Sequence, residues 1–295
     1  MGEIKSPRVS IGMPAYNGER YIRQALDTLV AQTFTDFELI ISDNASTDRT
    51  QDICLNYAAK DNRIKYYHNE QNKGPIQNFN QVFELSSGKY FMWASCNDAW
   101  EPGYISRCVE ILEQESAVVL CYSLANCIDV DGNDLNLILR GPDSRGLDKI
   151  SRCHMILWGM QYAYPVYGLI RADVLNRTKI FKKRVGTDII LLFELSFLGE
   201  FAQIPEVLLH IRRTPDFGSW DGYIDKTFGK SLRGLRRRWL FWGMLFEYLC
   251  TVNRHVHSIP ARFFLMFSTA LCVLVRYRWI RQGISKRITK SLATK

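Results

Sequence analysis

From Val9 onward, short β-branched or aromatic runs alternate with longer amphipathic ones, and this alternation restricts the fold more than any other feature of the chain. Strands that pair in parallel need long crossover connections, usually helices, so the pattern predicts an α/β fold of βαβ units with a mostly parallel sheet. Strands are expected at 8–13, 37–42, 64–67, 90–94 and 118–122, and helices at 19–31, 48–60, 76–86 and 102–114. Asp48 with Gln51 three places on has the form of a capping box for the second helix. "DVDGND" at 129–134 reads as a hairpin turn that ends the alternation. Helices at 149–158 and 188–198 and a strand at 166–171 then give an α+β second half.

A chain of 295 residues, 47% hydrophobic, buries a sizeable core. Its +8 charge is uneven: residues 228–295 hold fourteen Lys and Arg against Glu247 alone, which is +13 and leaves the rest at −5. The expected organisation is a body over 1–215, divided near 125, and a basic amphipathic helical region over 216–295, with the Gly- and Trp-rich stretch at 215–222 as the boundary. The eight cysteines show no CxxC pair and no zinc-finger spacing, so they read as buried, reduced thiols. No apolar run near the N-terminus is long enough for a signal peptide, and a cytoplasmic location is expected.

In an open parallel sheet, ligands bind beyond the carboxyl ends of the strands, where strand order reverses. That rule selects "PAYNGE" after the first strand, "DNASTD" after the second and "SCND" after the fourth. Asp43, at a strand end, either accepts hydrogen bonds from a nucleobase or caps a turn into the next helix. Pro14, Ala15 and Tyr16 offer a rigid backbone and an aromatic face for a base or ribose. Asn72, Lys73 and Gly74 precede a helix, either as a phosphate contact or as an ordinary helix start. Asp98, ending a core strand, either binds Mg²⁺ or Mn²⁺ through oxygen or caps the segment near Pro102. A nucleotidyltransferase would need a Gly-rich phosphate loop after the first strand, and "PAYNGER" lacks one.

The stretch "VSIGMPAYNGERYIRQALDTLVAQTFTDFELIISDNASTDRTQDI", followed in order by "NKGPIQNFN", "GKYFMWASCNDAWEPGYI" and "GTDIILLFELSFLGEF", resembles a family 2 glycosyltransferase of the GT-A fold. The resemblance runs from about Val9 to Arg213 and implies a donor-binding half followed by an acceptor half. It implies that Pro14, Ala15, Tyr16, Asn17 and Asp43 hold the nucleotide of a sugar donor, usually uridine, with Lys73 and Asn97 beside it. It places Asp98 at the last acid of a DXD-type motif, the ligand for a divalent metal, Mg²⁺ or Mn²⁺. Asp188 falls where inverting members keep the catalytic base, although an acid in the first turn of a helix is also favoured by the macrodipole. Cys96 and Asn97 stand where acids would precede Asp98, so metal dependence is expected to be weak.

His210, Arg212 and Arg213 are either diphosphate contacts or a solvated basic patch. In the tail, Arg236, Arg237 and Arg238 stand beside Trp239, Phe241 and Trp242, and the apolar run 263–275 is flanked by Arg262, Arg276 and Arg278. Thirteen largely apolar residues fall short of the ~20 needed to span a bilayer. The expected partners are a nucleotide sugar, a glycan or lipid-linked acceptor and an anionic membrane surface on its inner face, with nucleic acid disfavoured by the many large apolar residues. A helical appendage packed on the body is the other reading of the tail. Two functions follow: an inverting glycosyltransferase, or a catalytically silent relative that binds a nucleotide sugar or scaffolds a glycan-assembly complex. Trp93, Trp100, Trp158 and Tyr162 are candidates for shaping the acceptor pocket.

Overall fold

The computed structural model describes residues 6–213 and 235–282, apart from the side chains of 235–241 and 276–282. Its first half follows the predicted alternation: β1 (Val9–Ala15), α1 (Ile22–Val30), β2 (Phe37–Asp43), α2 (Thr50–Ala58), β3 (Ile64–His68), α3 (Pro75–Glu84) and β4 (Tyr90–Trp93). These strands pair in parallel in the order β3, β2, β1, β4. β1 and β2 are buried almost throughout, as strands covered on both faces must be. α1 buries Ile22, Ala25, Leu26 and Leu29, one stripe at helical spacing. α3 approaches β1 so closely that a Cβ on Gly12 would lie 2.7 Å from both Val82 and Phe91. Asp48 is not the helix cap expected: the N-cap of α2 is Arg49 and the helix starts two residues later, while Asp48 Oδ1 accepts the Thr50 amide in the preceding turn.

The second half comprises β5 (Ala99–Trp100), α4 (Tyr104–Gln114), β6 (Val118–Ile128), β7 (Asp134–Leu139), α5 (Lys149–Gly159), a 3-10 turn (Tyr164–Tyr167), β8 (Leu169–Arg171), α6 (Ala172–Leu175), α7 (Thr187–Leu198) and β9 (Glu200–Arg212). They extend the sheet as β4, β8, β6, β9, β5, with β6 and β9 parallel and the other neighbours antiparallel. β7 pairs with the second half of β6 across the predicted turn. Two long helices follow, α8 (Leu235–His255) and α9 (Ile259–Gln282). Six of the eight cysteines are buried, in keeping with structural thiols.

α8 and α9 pack on the body. Phe193 and Phe197 of α7 and Cys153 and Leu157 of α5 share an apolar cluster with Met244, Tyr248, Val252, Leu265 and Cys272. Trp158 Nε1 donates to Ser268 Oγ at 2.8 Å, and the His154 ring stacks on Phe264. The boundary expected at 215–222 and the side chains of Arg236, Arg237, Arg238, Trp239, Phe241, Arg276 and Arg278 lie outside the described residues. Among the described residues, no helix is long and apolar enough to cross a membrane.

Candidate active site

Strand order reverses at β1, which has β2 on one flank and β4 on the other, so the carboxyl ends of these strands frame the crevice. The loops that leave β1 and β2 are knitted together. Asn17 N donates to Ser46 Oγ and Thr47 N to Asn17 Oδ1, at 2.9 and 2.8 Å. Gly18 N donates to Thr50 Oγ1, and Glu19 N to Asp48 Oδ2. Asn17 and Ala45 hold positive φ, 50° and 59°, where L-residues are strained. Beside this rim Tyr16 is 46% exposed, whereas Ala15 is buried.

Asp43 lies fully buried at the end of β2. Its Oδ1 accepts the Ser46 amide at 2.9 Å and its Oδ2 the Tyr66 hydroxyl at 2.8 Å. Both oxygens therefore fasten the turn and β3, which is the capping alternative of the sequence reading. Asn78 of α3 pins the same edge, with Nδ2 donating to Ser42 O at 2.9 Å and Ala15 O at 3.4 Å. Lys73 is exposed, with Nζ donating to Asn69 Oδ1 and Gln81 Oε1 at 3.0 and 3.3 Å.

Asp98 follows β4 in the turn into β5 and is 5% exposed. Its Oδ1 accepts the Arg212 amide at 2.9 Å. Burial pushes its carboxyl up to about 7, against the pull of that N–H and of the Arg212 charge. Arg212 itself is buried, donating to the carbonyls of Asn97, Asp129 and Val130 and to Gln24 Oε1, with its guanidinium 4.7 Å from the Tyr21 ring centre. Four acceptors and an aromatic face occupy it, so it braces two loops and α1 against one another. His210 turns to Glu101 at 2.8 Å, and Arg213 lies over the Tyr162 ring.

A cavity of about 300 Å³ opens beside this edge, walled by Ile76, Phe79, Tyr162, Tyr164 and Phe181 with Thr187 and Asp188. Asp188 stands in the first turn of α7 behind Gly186, and its Oδ1 accepts the Ile189 amide at 2.9 Å. Burial raises its pKa, offset in part by backbone N–H groups. The remaining walls are apolar or aromatic, so the cavity presents one carboxylate to whatever enters. A proton acceptor in such a place suits removal of a proton from a bound hydroxyl.

Of the three candidate carboxylates, Asp188 lines the cavity, whereas Asp43 and Asp98 do not. Arg212, whose amide binds Asp98, follows the wall residue Ile211, and Asn78, which pins the β2 edge, precedes the wall residue Phe79. Of the four aromatics expected to shape a pocket, Tyr162 lines the cavity. Trp93 backs it by packing a tilted ring against Phe181, at 4.7 Å between ring centres. Trp100 is buried in β5 and Trp158 faces α9. Phe181, Phe79 and Ile211 went unnoticed in the sequence, since nothing local marks an apolar residue as a cavity wall.

No group of three His, Cys, Asp or Glu side chains stands ready for a metal among the described residues. Asp98 is the one anion of its loop, and its oxygen ligand chemistry suits a hard cation completed by phosphate oxygens.

The sequence profile of Glycosyl transferase family 2 matches residues 10–178. An uncharacterized glycosyltransferase of Rickettsia typhi is 35% identical over 141 residues, which cover 48% of this chain and 42% of that protein. A Bacillus subtilis protein, putative teichuronic acid biosynthesis glycosyltransferase TuaG, is 28% identical over 142 residues, 48% of this chain and 56% of the other. The chain thus spans about half the length of these relatives. Among solved structures, S. aureus TarS 1-349 in complex with UDP-GlcNAc superposes with a TM-score of 0.66 at 17% identity, covering 88% of this chain and 70% of that one. The mannosyltransferase PcManGT of Pyrobaculum calidifontis, in complex with GDP-Man and Mn²⁺, gives 0.55 at 15% identity over 98% and 87% of the two chains. These likenesses show the GT-A fold, and with the profile covering more than half of its length, the chain belongs to glycosyl transferase family 2.

Proposed function

We propose that the chain is an inverting glycosyltransferase that moves a sugar from a nucleoside-diphosphate sugar, a UDP-sugar, to a hydroxyl of a glycan or lipid-linked acceptor. The observation that carries this reading is Asp188, a carboxylate of raised pKa in the wall of an otherwise apolar cavity at the carboxyl edge of the sheet. TarS bound to UDP-GlcNAc supports a nucleotide-sugar donor, and TuaG supports a role in polysaccharide assembly. The chain works at the inner face of an anionic membrane, an assignment supported by the exposed aromatic face of α9 and the basic tail.

Asp188 takes the proton of the acceptor hydroxyl as its oxygen attacks the anomeric carbon, and the nucleoside diphosphate leaves from the opposite face. The Pro14–Asn17 loop and Asp43 hold the nucleotide, with Tyr16 as its stacking face and Asp43 accepting a base N–H beside its two existing bonds. Lys73 and Asn97 flank the donor, and Arg213, beside Tyr162, is the best placed of the three cations for its diphosphate. Asp98 would hold a divalent cation, which when bound neutralises charge on the diphosphate. The Mn²⁺ complex of PcManGT supports metal use on this fold.

A second reading, a silent nucleotide-sugar binder, is favoured by Cys96 and Asn97 and by the tie of Asp98 to Arg212. Turnover separates the two. Nucleotide sugars are expected to raise the melting temperature, because a ligand of the folded state stabilises it. Asp188→Asn is expected to keep that rise and lose about 10²- to 10⁴-fold in transfer or donor hydrolysis. Binding without any turnover would select the silent relative, and no melting shift with any nucleotide would remove both readings.

A further inference from the structure

Glu247, the one acid among residues 228–295, is buried on α8. Among the described residues, its ion-pair partners lie in the body rather than in the tail. Its Oε2 accepts Lys182 Nζ, and Arg184 Nε lies 3.7 Å from its Oε1. Both cations belong to residues 179–186, the segment that enters α7 and ends one residue before Thr187 and Asp188. α8 touches that segment a second time, since a Cβ built on Gly186, which holds φ at 69°, would lie 3.0 Å from Met244 Sδ. Lower on α7, Glu194 takes Arg254 and His255 of α8 and the amide of Lys179.

The segment so gripped forms part of the cavity wall. Phe181 lies in it, between Trp93 and Phe79, and Asn80 of α3 exchanges two hydrogen bonds with the Phe181 backbone. Ile180 holds φ at 47°, a conformation that costs a β-branched residue dearly and persists only where its surroundings impose it. Lys182 N donates to Thr187 Oγ1 at 2.9 Å, tying the segment to the residue before Asp188. Half-exposed ion pairs contribute little by themselves, but an acid buried among its partners loses much when they go.

We infer that Glu247 is a positioning residue: through Lys182, Arg184 and the Gly186 turn it sets the cavity wall and the place of Asp188, so that the C-terminal helix pair completes a site the sheet domain does not finish alone. The inference rests on the reading of Asp188 as the base, and it concerns residues beyond the stretch that the family profile matches.

The test combines hydrogen exchange with kinetics on the full chain. Glu247→Gln is expected to speed exchange over residues 179–190 about tenfold while leaving β1 to β4 unchanged, since local opening is read region by region. It is expected to lower kcat about tenfold with the donor KM within about twofold, the pattern of a misplaced base. Glu247→Asp, which keeps the negative charge beside Lys182 and Arg184, is expected to stay close to the wild type in both. Unchanged exchange over 179–190, exchange that quickens evenly along the chain, or faster local exchange with wild-type kcat would each overturn the inference. Should the wild type transfer or hydrolyse no nucleotide sugar, the functional reading fails, and the exchange pattern still decides whether Glu247 holds the segment.

Discussion

At the scale of single residues, Asp98 carries the most information, because burial and partnership oppose each other on one carboxyl group. Its folded pKa of about 7 lies above the ordinary 3.8, so between those values the folded chain keeps a proton that the unfolded chain releases. Stability linked to this group is therefore fully present below pH ~4 and is lost as pH rises through about 7, an effect on the order of 4 kcal/mol. Asp98→Asn keeps an oxygen for the Arg212 amide and removes the titration. Urea unfolding at pH 5 and pH 8, in buffer containing a chelator, is expected to show wild-type stability falling with pH and a flatter profile for the variant. Equal slopes would mean that Asp98 stays ionised throughout. Burial also raises Asp188, and the base proposed for it must be deprotonated to act, so on that proposal the acidic limb of the kcat profile should lie above the ordinary carboxylate range. A limb centred near 4 would sink that expectation.

At the scale of elements, β9 shows why half of the fold was legible and half was not. β1 to β4 and their helices announce themselves through patterns of four to ten residues, each readable without its neighbours. β5 has two residues, too few for any periodicity. β9 carries Pro205, which has no N–H for the ladder, and the pairing with β6 jumps from Ser123↔Ile204 to Leu124↔Val207 so that Pro205 and Glu206 stand outside it. Only the parallel partner, β6, makes the interrupted run a strand, and β6 itself runs six residues past its predicted end. The site follows the same rule: Asp188 was singled out through the family resemblance, its place at a helix start alone being equally that of a structural acid, whereas the work of Arg212 was not legible, because its acceptors come from Gln24, Asn97 and the β6–β7 turn. Arg212→Ala would leave buried carbonyls without donors and cost about 3–5 kcal/mol, which for a chain of this size lowers the melting temperature by about 5–8 °C. Calorimetry without nucleotide checks this. A diphosphate contact would show the opposite pattern, lost nucleotide affinity with the melting temperature of the ligand-free chain preserved.

At the scale of the whole molecule, the C-terminal pair presents two unlike faces. One is spent on α5 and α7 in the second apolar cluster. The other leaves Ile259, Phe263, Phe267, Leu271 and Leu274 exposed at intervals of three or four residues, a single helical stripe, with Phe263 at 70% and Phe267 at 72%. Over the fifteen steps from Ile259 to Leu274 the stripe is about 22 Å long. Trp242 and Phe246 of α8 are also exposed. An apolar patch of this extent asks for a covering surface, and the charge around it chooses between two. A second copy would bring another +13 tail against the first, whereas an anionic bilayer would neutralise it. Vesicles containing phosphatidylglycerol should therefore bind the chain, more weakly as salt rises, and vesicles of phosphatidylcholine alone should bind it poorly. Phe263→Glu with Phe267→Glu removes two side chains worth about 1.5–3 kcal/mol each on burial, so partition should fall at least about a hundredfold. Because both side chains point away from the body, the variant should keep the wild-type melting temperature and nucleotide response. Wild-type partition by the double variant would deny that this stripe meets lipid, and a concentration-dependent dimer that the same substitutions dissolve would assign it to a second copy of the chain.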